Sequence, residues 1–299
     1  MKVRIGVSLG PAGGPDQFAT AVDLLEQAGV DSLWLPENVY SPVVEPFTGL
    51  AFALSRTRRL KAGSGISVLP GRHPVLVAKQ LASLAGLAPR RVLPVFGLRP
   101  AQPAEIKLFP VPSGQRAAVF DESLTLLREL LTKESVTFHG DFFEVDGASV
   151  GPLPAKPLDI WLGGSAENGL KRVGRLADGW LGSLLTPAEA KTAVTTINEA
   201  AGKAGREVEQ DHFGLSLPVT LSSNGIPETL RASIARRRPH TDPQTLVAPG
   251  WDGARQMIEQ YVEAGLTKFV VRPAPRTEGQ QPFGEFVDGF VRELMPLQN

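Results

Sequence analysis

LLEQAGVDSLWL, residues 24–35, returns near the other end of the chain as QYVEAGLTKFVV, residues 260–271. In each copy an amphipathic run ends on Ala-Gly, crosses a short turn and enters an apolar run. Apolar residues spaced by three and four read as a helix, and the glycine after them supplies the left-handed residue on which a helix stops. A short stretch of Leu, Trp, Phe and Val then reads as a buried strand. Each copy is one α-to-β step, and its recurrence implies a fold assembled by repeating that step.

Working outward, the alternation holds along the chain. Strands are predicted at 3–9, 32–35, 60–69, 91–97, 158–162, 179–184, 213–221 and 267–272. Between them lie helices at 18–28 (with Asp16 as cap), 46–56, 74–87, 116–131, 166–177, 187–204, 252–264 and 283–294. Eight strands alternating with helices are the pattern of a parallel sheet with crossover helices. The expected fold is α/β, a (β/α)8 TIM barrel forming a single domain over 1–299. Insertions are expected after strand 4 (an irregular segment to 112 and a small hairpin at 135–145) and after strand 7 (a polar, proline-rich excursion at 223–249). An open doubly wound sheet is the rival, but its Gly-x-Gly-x-x-Gly after the first strand is absent. The opening MKVRIGVSLG has no long apolar region and no small-residue cleavage site, so it reads as a first strand.

The charge balance is even, 31 basic against 31 acidic residues, and the basic ones are dispersed apart from the run Arg236, Arg237, Arg238. Neither nucleic acid nor an anionic membrane is the expected partner. The absence of cysteine excludes disulfides, thiolate nucleophiles and cysteine-built zinc or iron–sulfur sites. The four histidines, at 73, 139, 212 and 240, have no metal-ligand spacing, so no metal site is expected. With no apolar run of membrane-spanning length, the expectation is a soluble, cytoplasmic protein acting on a small molecule.

In a barrel of this kind ligands sit at the C-terminal ends of the strands. Gly163 and Gly164 end the fifth strand, and Ser165, Ala166, Glu167 and Asn168 open the next helix. Glycine permits positive φ and close backbone approach, and the free N–H groups of a helix N-terminus attract a phosphate. The pair therefore reads as an anion-binding corner or, failing that, a plain tight turn. Glu167 counts against a phosphate unless it points outward. After the second strand Glu37 is a hydrogen-bond acceptor or a proton-transfer group, while Asn38 beside it has no proton to give near neutral pH. His73, before Pro74, either donates a proton or caps the third helix. Glu105, after the fourth strand, is a site carboxylate or a solvated loop residue. Ser183 lies just beyond the sixth strand as a contact at the mouth. Arg72 and Arg99 are anion partners or ordinary rim charges.

SLWLPEN (32–38), LKAGSGISVLPGRHPVLVAKQLASL (60–84) and GGSAENGLKRVGRLADGW (163–180), in that order and spacing, resemble the bacterial luciferase-like superfamily of flavin and deazaflavin enzymes. RRVLPVFGLRPAQPAE (90–105) and PLDIWLGG (157–164) resemble its subgroup assigned to the deazaflavin coenzyme F420. The resemblance covers nearly the whole chain. It implies a coenzyme ring at the C-terminal mouth, with the phosphate tail at Gly163, Gly164, Ser165 and Ala166. It also implies a non-proline cis peptide between Gly65 and Ile66 that backs the ring.

By this resemblance the protein is an F420-dependent oxidoreductase moving a hydride between the deazaflavin and an organic substrate. An FMN-dependent monooxygenase of the same superfamily is the alternative. A coenzyme-binding protein without turnover is a third, because Asn38 stands where F420 enzymes of the superfamily often carry histidine, the usual proton donor. After the fourth strand the run Phe96, Gly97, Leu98, Arg99, Pro100 also departs from the Gly-x-Gly-acid of many relatives. A phosphosugar isomerase or aldolase barrel is weakened by the lack of a lysine, or of a histidine and glutamate pair, at strand ends. The candidate catalytic residues are Glu37, Asn38, His73 and Glu105. The candidate coenzyme contacts are Gly65, Ile66, Gly163, Gly164, Ser165, Ala166 and Ser183. The family implies a homodimer or larger homo-oligomer.

Overall fold

The structure, a computed structural model, describes residues 2–9, 14–221, 225–274 and 283–299. The first half runs β1 (Arg4–Ser8), α1 (Pro15–Gln27), β2 (Ser32–Leu35), α2 (Pro46–Arg56), β3 (Lys61–Ser64), β4 (Ser67–Val68), α3 (Pro74–Leu87), β5 (Val92–Leu93) and β6 (Val95–Gly97). A 3-10 turn at Pro103–Leu108 leads to α4 (Arg116–Thr132) and the antiparallel hairpin of β7 (Val136–His139) and β8 (Glu144–Ala148). The chain continues through β9 (Trp161–Gly163), α5 (Glu167–Leu176), β10 (Gly179–Ser183), α6 (Pro187–Lys203) and β11 (Phe213–Thr220). It ends with α7 (Glu228–Arg237), β12 (Ala248–Pro249), α8 (Gly250–Glu263), β13 (Lys268–Pro273) and α9 (Phe283–Glu293).

Apart from the hairpin, every pairing is parallel. β1 pairs β2, β2 pairs β3, β3 pairs β5, β6 pairs β9, and the ladder continues through β10, β11 and β13 back to β1. The sheet is therefore curled, with helices outside it. Both copies of the repeated step end as their sequence implies: Gly29 after α1 has φ +71 and Gly265 after α8 has φ +99, the left-handed region in which a glycine closes a helix.

The structure departs from the sequence reading most at three strands, one cap and the excursion at 223–249: that excursion contains α7 and β12, and the strand expected at 158–162 lies at Trp161–Gly163. The run at 91–97 is divided at Pro94, which has no N–H to give the ladder. The run at 60–69 is divided at Gly65 and Ile66. Gly63 pairs Leu93 and Ser67 pairs Phe96, so four steps on one strand match three on its partner. One extra residue is absorbed there as a bulge. The Ser64 hydroxyl covers the gap, donating to the Val95 carbonyl and accepting from the Val95 N–H, both at 2.9 Å. At α1 the cap is Gly14 with Pro15 in the first helical position, and Asp16 falls in the first turn. Proline is pre-set for that position, and the carboxylate still favours the positive helix end.

Trp34, Val95, Leu181 and Val270 form a small apolar cluster inside the curl, with Trp161, Leu93 and Ile66 against it. At the N-terminal end of the strands this cluster gives way to charge. Lys268 of β13 and Lys61 of β3 (2.9 Å) both meet Asp31, just ahead of β2, with Arg4 of β1 at 3.9 Å. Burial pushes the Asp31 carboxyl up, but Lys268 and Lys61 outweigh it and leave the group well below the usual carboxylate range. A carboxylate depressed by folding stabilises the folded state above the ordinary aspartate value of about 3.9, and that contribution is lost as pH falls. Asp31→Asn is expected to cost on the order of 3 kcal/mol in urea unfolding at neutral pH. The variant should also lose part of the wild type's decline in stability between about pH 5 and pH 2.

Candidate functional site

The bulge at Gly65 and Ile66 is held from three directions. Its Gly65–Ile66 peptide is cis. Gly65 N–H donates to the Leu35 carbonyl at 2.8 Å, and the Ile66 carbonyl accepts from Glu37 N–H at 3.1 Å. The Glu37 carboxylate then reaches past the bulge: Oε2 accepts from Val68 N–H at 2.7 Å, and Oε1 meets the Arg72 guanidinium. Arg72 also donates from Nε to the Val68 carbonyl at 3.1 Å, and its guanidinium lies over the rings of Phe47 and Phe109. Glu37 is 4% exposed. Burial pushes its carboxyl above the ordinary glutamate value, with Val68 N–H and Arg72 pulling the other way. Both of its oxygens are occupied within the protein, which makes Glu37 a brace for the bulge.

The bulge carries Ile66 across the face of two neighbouring strands. A Cβ on Gly97 of β6 would come within 2.0 Å of Ile66 Cδ1, and one on Gly163 of β9 within 2.6 Å of Ile66 Cγ2. Those glycines give Ile66 its place. Gly164 is glycine for another reason: its φ of +117 is a conformation side chains disfavour, while the space around it is open. Its carbonyl accepts from Trp180 Nε1 at 2.7 Å, which pins the turn.

Helix α5 starts directly after that turn. Ala166 is its N-cap and no side chain caps it, so the first-turn N–H groups open onto a stretch where Ser165, Ala166, Glu167 and Asn168 are exposed. Glu167 is held by Lys171 at 2.6 Å, one turn further along, which directs its charge back along the helix. An anion approaching the helix start meets amide hydrogens.

The remaining candidates have mixed surroundings. Asn38 is half-buried beside Glu37, and its carbonyl accepts from Ser41 N–H at 3.1 Å; among the described residues its side chain has no partner. His73 caps α3, Nδ1 accepting from Val75 N–H at 3.3 Å, with its ring edge against Phe143. Glu105 is fully buried and not a solvated loop residue: Oε1 accepts from Tyr40 N–H at 2.9 Å, tying the loop after β6 to the loop after β2, while Oε2 is buried without a partner. The Ser67 hydroxyl, next to the bulge, is likewise buried and unpartnered. Ser183 ends β10 with its hydroxyl 3.4 Å from Arg237 Nη2. Arg99 is exposed.

The structure thus gathers Glu37, Gly65, Ile66 and Gly163 into one contact set, with Gly164 the next residue, and gives His73 and Glu105 partners in the surrounding loops. Sequence reasoning missed Arg72 as the partner of Glu37 and Ser64 as the patch in the broken ladder. No local pattern announces either, since both partners lie some thirty residues away. Among the described residues one cluster brings metal-ligating atoms within 4.8 Å, Glu209, Asp211 and His212, ahead of β11 at the opposite end of the strands.

The profile of the luciferase-like monooxygenase family matches residues 1–267. The chain belongs to that family. An uncharacterized protein of Mycobacterium tuberculosis is 34% identical over 165 residues, 55% of this chain and 57% of that one, so the chain matches little more than half of that relative's length. An F420-dependent glucose-6-phosphate dehydrogenase of Beutenbergia cavernae is 28% identical across 96% of both chains. Among solved structures, an F420-dependent secondary alcohol dehydrogenase in complex with an F420–acetone adduct shares the fold, with a TM-score of 0.82 over 100% of both chains at 20% identity. No helix among the described residues of this family member is long and apolar enough to cross a membrane.

The glycine beneath Ile66 gives a direct test. Gly97→Ala should destabilise the protein by about 1–3 kcal/mol through overpacking. Ile66→Val, which removes the Cδ1 methyl that the new Cβ would strike, should recover at least about 0.5 kcal/mol of that loss in the double variant. Denaturant unfolding of the four proteins in the cycle measures it, and strictly additive effects would contradict the contact.

Proposed function

We propose that this protein is an F420-dependent oxidoreductase that moves a hydride between the deazaflavin and a small organic substrate at the C-terminal mouth of its curled sheet. In this reading β3 with β4, and β5 with β6, count as single interrupted strands. The fold is then a one-domain (β/α)8 barrel with insertions after strands 4 and 7, working in the cytoplasm as a homo-oligomer. The observation that carries the reading is the braced bulge: Glu37 and Arg72 hold Ile66 over Gly97 and Gly163 as a fixed, apolar ledge, one residue from the Gly164 turn and the uncapped start of α5.

These residues fit the coenzyme the relatives' names point to. A flat ring is supported by an apolar ledge without projecting side chains, and a phosphate is held by open first-turn N–H groups. When bound, F420 supplies the hydride chemistry; the chain supplies position and exclusion of water. Gly65 and Ile66 would back the ring, and Gly164, Ser165 and Ala166 would take the phosphate. Glu37 acts as a positioning residue, as do His73 and Glu105 through the loops they anchor. Asn38, with a free amide beside the brace, would hydrogen-bond coenzyme or substrate without transferring a proton.

Titration of the purified protein with F420 and, separately, with FMN, followed by coenzyme fluorescence, tests this. The expected result is F420 binding at micromolar or lower Kd, tighter than FMN by about tenfold or more, which is ~1.4 kcal/mol. Gly164→Ala, which forces a side chain into the disfavoured φ, should weaken F420 by a similar factor while the protein stays folded by circular dichroism. A preference for FMN would replace the proposal with a flavin monooxygenase, and binding of neither would overturn it.

A further inference from the structure

The three successive arginines at the end of α7 have three different surroundings. Arg236 is exposed. Arg238 is clamped: Nη1 donates to the Leu184 carbonyl at 2.9 Å, and Nη2 meets Glu189 and, at 3.1 Å, Thr241 Oγ1. Leu230 and Ile234 of the same helix pack with Leu184 and Ala274, just beyond β10 and β13. The helix is thereby seated on the C-terminal ends of those strands. This seating brings Arg237, itself exposed, to Ser183; among the described residues that is its one hydrogen-bond partner and no carboxylate pairs with it.

Strand β13 supplies a second cation. Side chains alternate along a strand. Lys268 faces inward over Trp34, and Val270 joins Trp34, Val95 and Leu181 in the inner cluster. The next inward position is Arg272, at the strand's C-terminal end, paired in register with Pro218 of β11. Arg272 is half-buried and makes no hydrogen bond or ion pair with any described residue. Burial pushes its guanidinium down to about 10, and the nearby charge of Arg237 pushes in the same direction.

A charge drawn part-way out of water without a partner is costly, and the like charge of Arg237 nearby adds to the cost. The helix dipole accounts for basic residues at the end of α7, and Asp31 accounts for the inward Lys268, but neither accounts for a second inward cation at the far end of β13. Guanidinium groups match the paired oxygens of carboxylate and phosphate. The β13 wall lies three strand pairings round from β9, so this cluster is separate from the open start of α5. We propose that Arg272, Arg237 and Ser183 form a subsite for a carboxylate or phosphate of the substrate, so that the substrate is an anionic small molecule. That the anion belongs to a substrate of hydride transfer rests on the F420 reading; the subsite itself does not.

Inorganic phosphate is the probe, titrated calorimetrically at an ionic strength held constant with sodium chloride, into the wild type, R272Q, R237Q and R272K. The wild type should bind phosphate saturably, R272Q about tenfold or more weakly, R237Q at least about threefold more weakly, and R272K within about threefold of wild type. Free R272Q should melt no lower than the wild type, because it loses an unpartnered charge. Its F420 affinity should stay within about twofold of wild type. Absence of phosphate binding, or equal binding by R272Q and wild type, would overturn the subsite. Displacement of phosphate by F420, with F420 weakened in R272Q, would give the subsite to the coenzyme's own anionic groups and overturn the substrate assignment. Phosphate binding that depends on Arg272 in a protein that fails to bind F420 would remove the F420 reading and leave the subsite standing.

Discussion

The contact on which the site depends is the pairing of buried Glu37 with half-buried Arg72. A parallel strand that takes in one extra residue loses its ladder locally, and the polar groups it frees must be satisfied at once or the strand will not hold that shape. Glu37 does this from the neighbouring strand's end, giving its own N–H to the Ile66 carbonyl and its carboxylate to the Val68 N–H. Arg72 closes the loop by neutralising that carboxylate and returning a bond to the Val68 carbonyl. Ser64 repairs the other side. Every part of the bulge is thus tied to a second element, and Ile66 is presented at a fixed height.

The small residues around it follow from that height. Gly97 and Gly163 lie on neighbouring strands, and each is glycine because Ile66 occupies the volume a Cβ would need. Neither glycine is there for backbone freedom. Gly164 is, and the difference between adjacent glycines separates two tasks: one makes room for the ledge, the other turns the chain so that α5 starts with its amides open.

The two ends of the strands handle charge in opposite ways. At the N-terminal end Asp31 gathers Lys268, Lys61 and Arg4 around one carboxylate, a knot that draws four strands together. At the C-terminal end Arg272 and Arg237 have no carboxylate partner among the described residues. Stability concentrated at one end and unspent binding capacity at the other is the division expected of a sheet whose ligands approach the strand C-termini.

Local periodicity and punctuation determined the order of the eight main strands and the helices between them, but not α7 and β12 within 223–249. Alternation of buried runs with amphipathic ones, and Ala-Gly stops at 28–29 and 264–265, depend only on residues a few positions apart. The corner at Gly163 and Gly164 was legible for the same reason, since a strand, two glycines and a helix start are contiguous. What only the tertiary structure decided is which job each residue holds. That Glu37 braces, that Gly163 yields to Ile66, that Glu105 is buried and that Arg237 comes to the rim on which Arg272 faces inward all depend on neighbours dozens of residues away in the chain. Curling the sheet brings distant strand ends side by side, and burial there converts ordinary side chains into paired, unpaired or displaced ones.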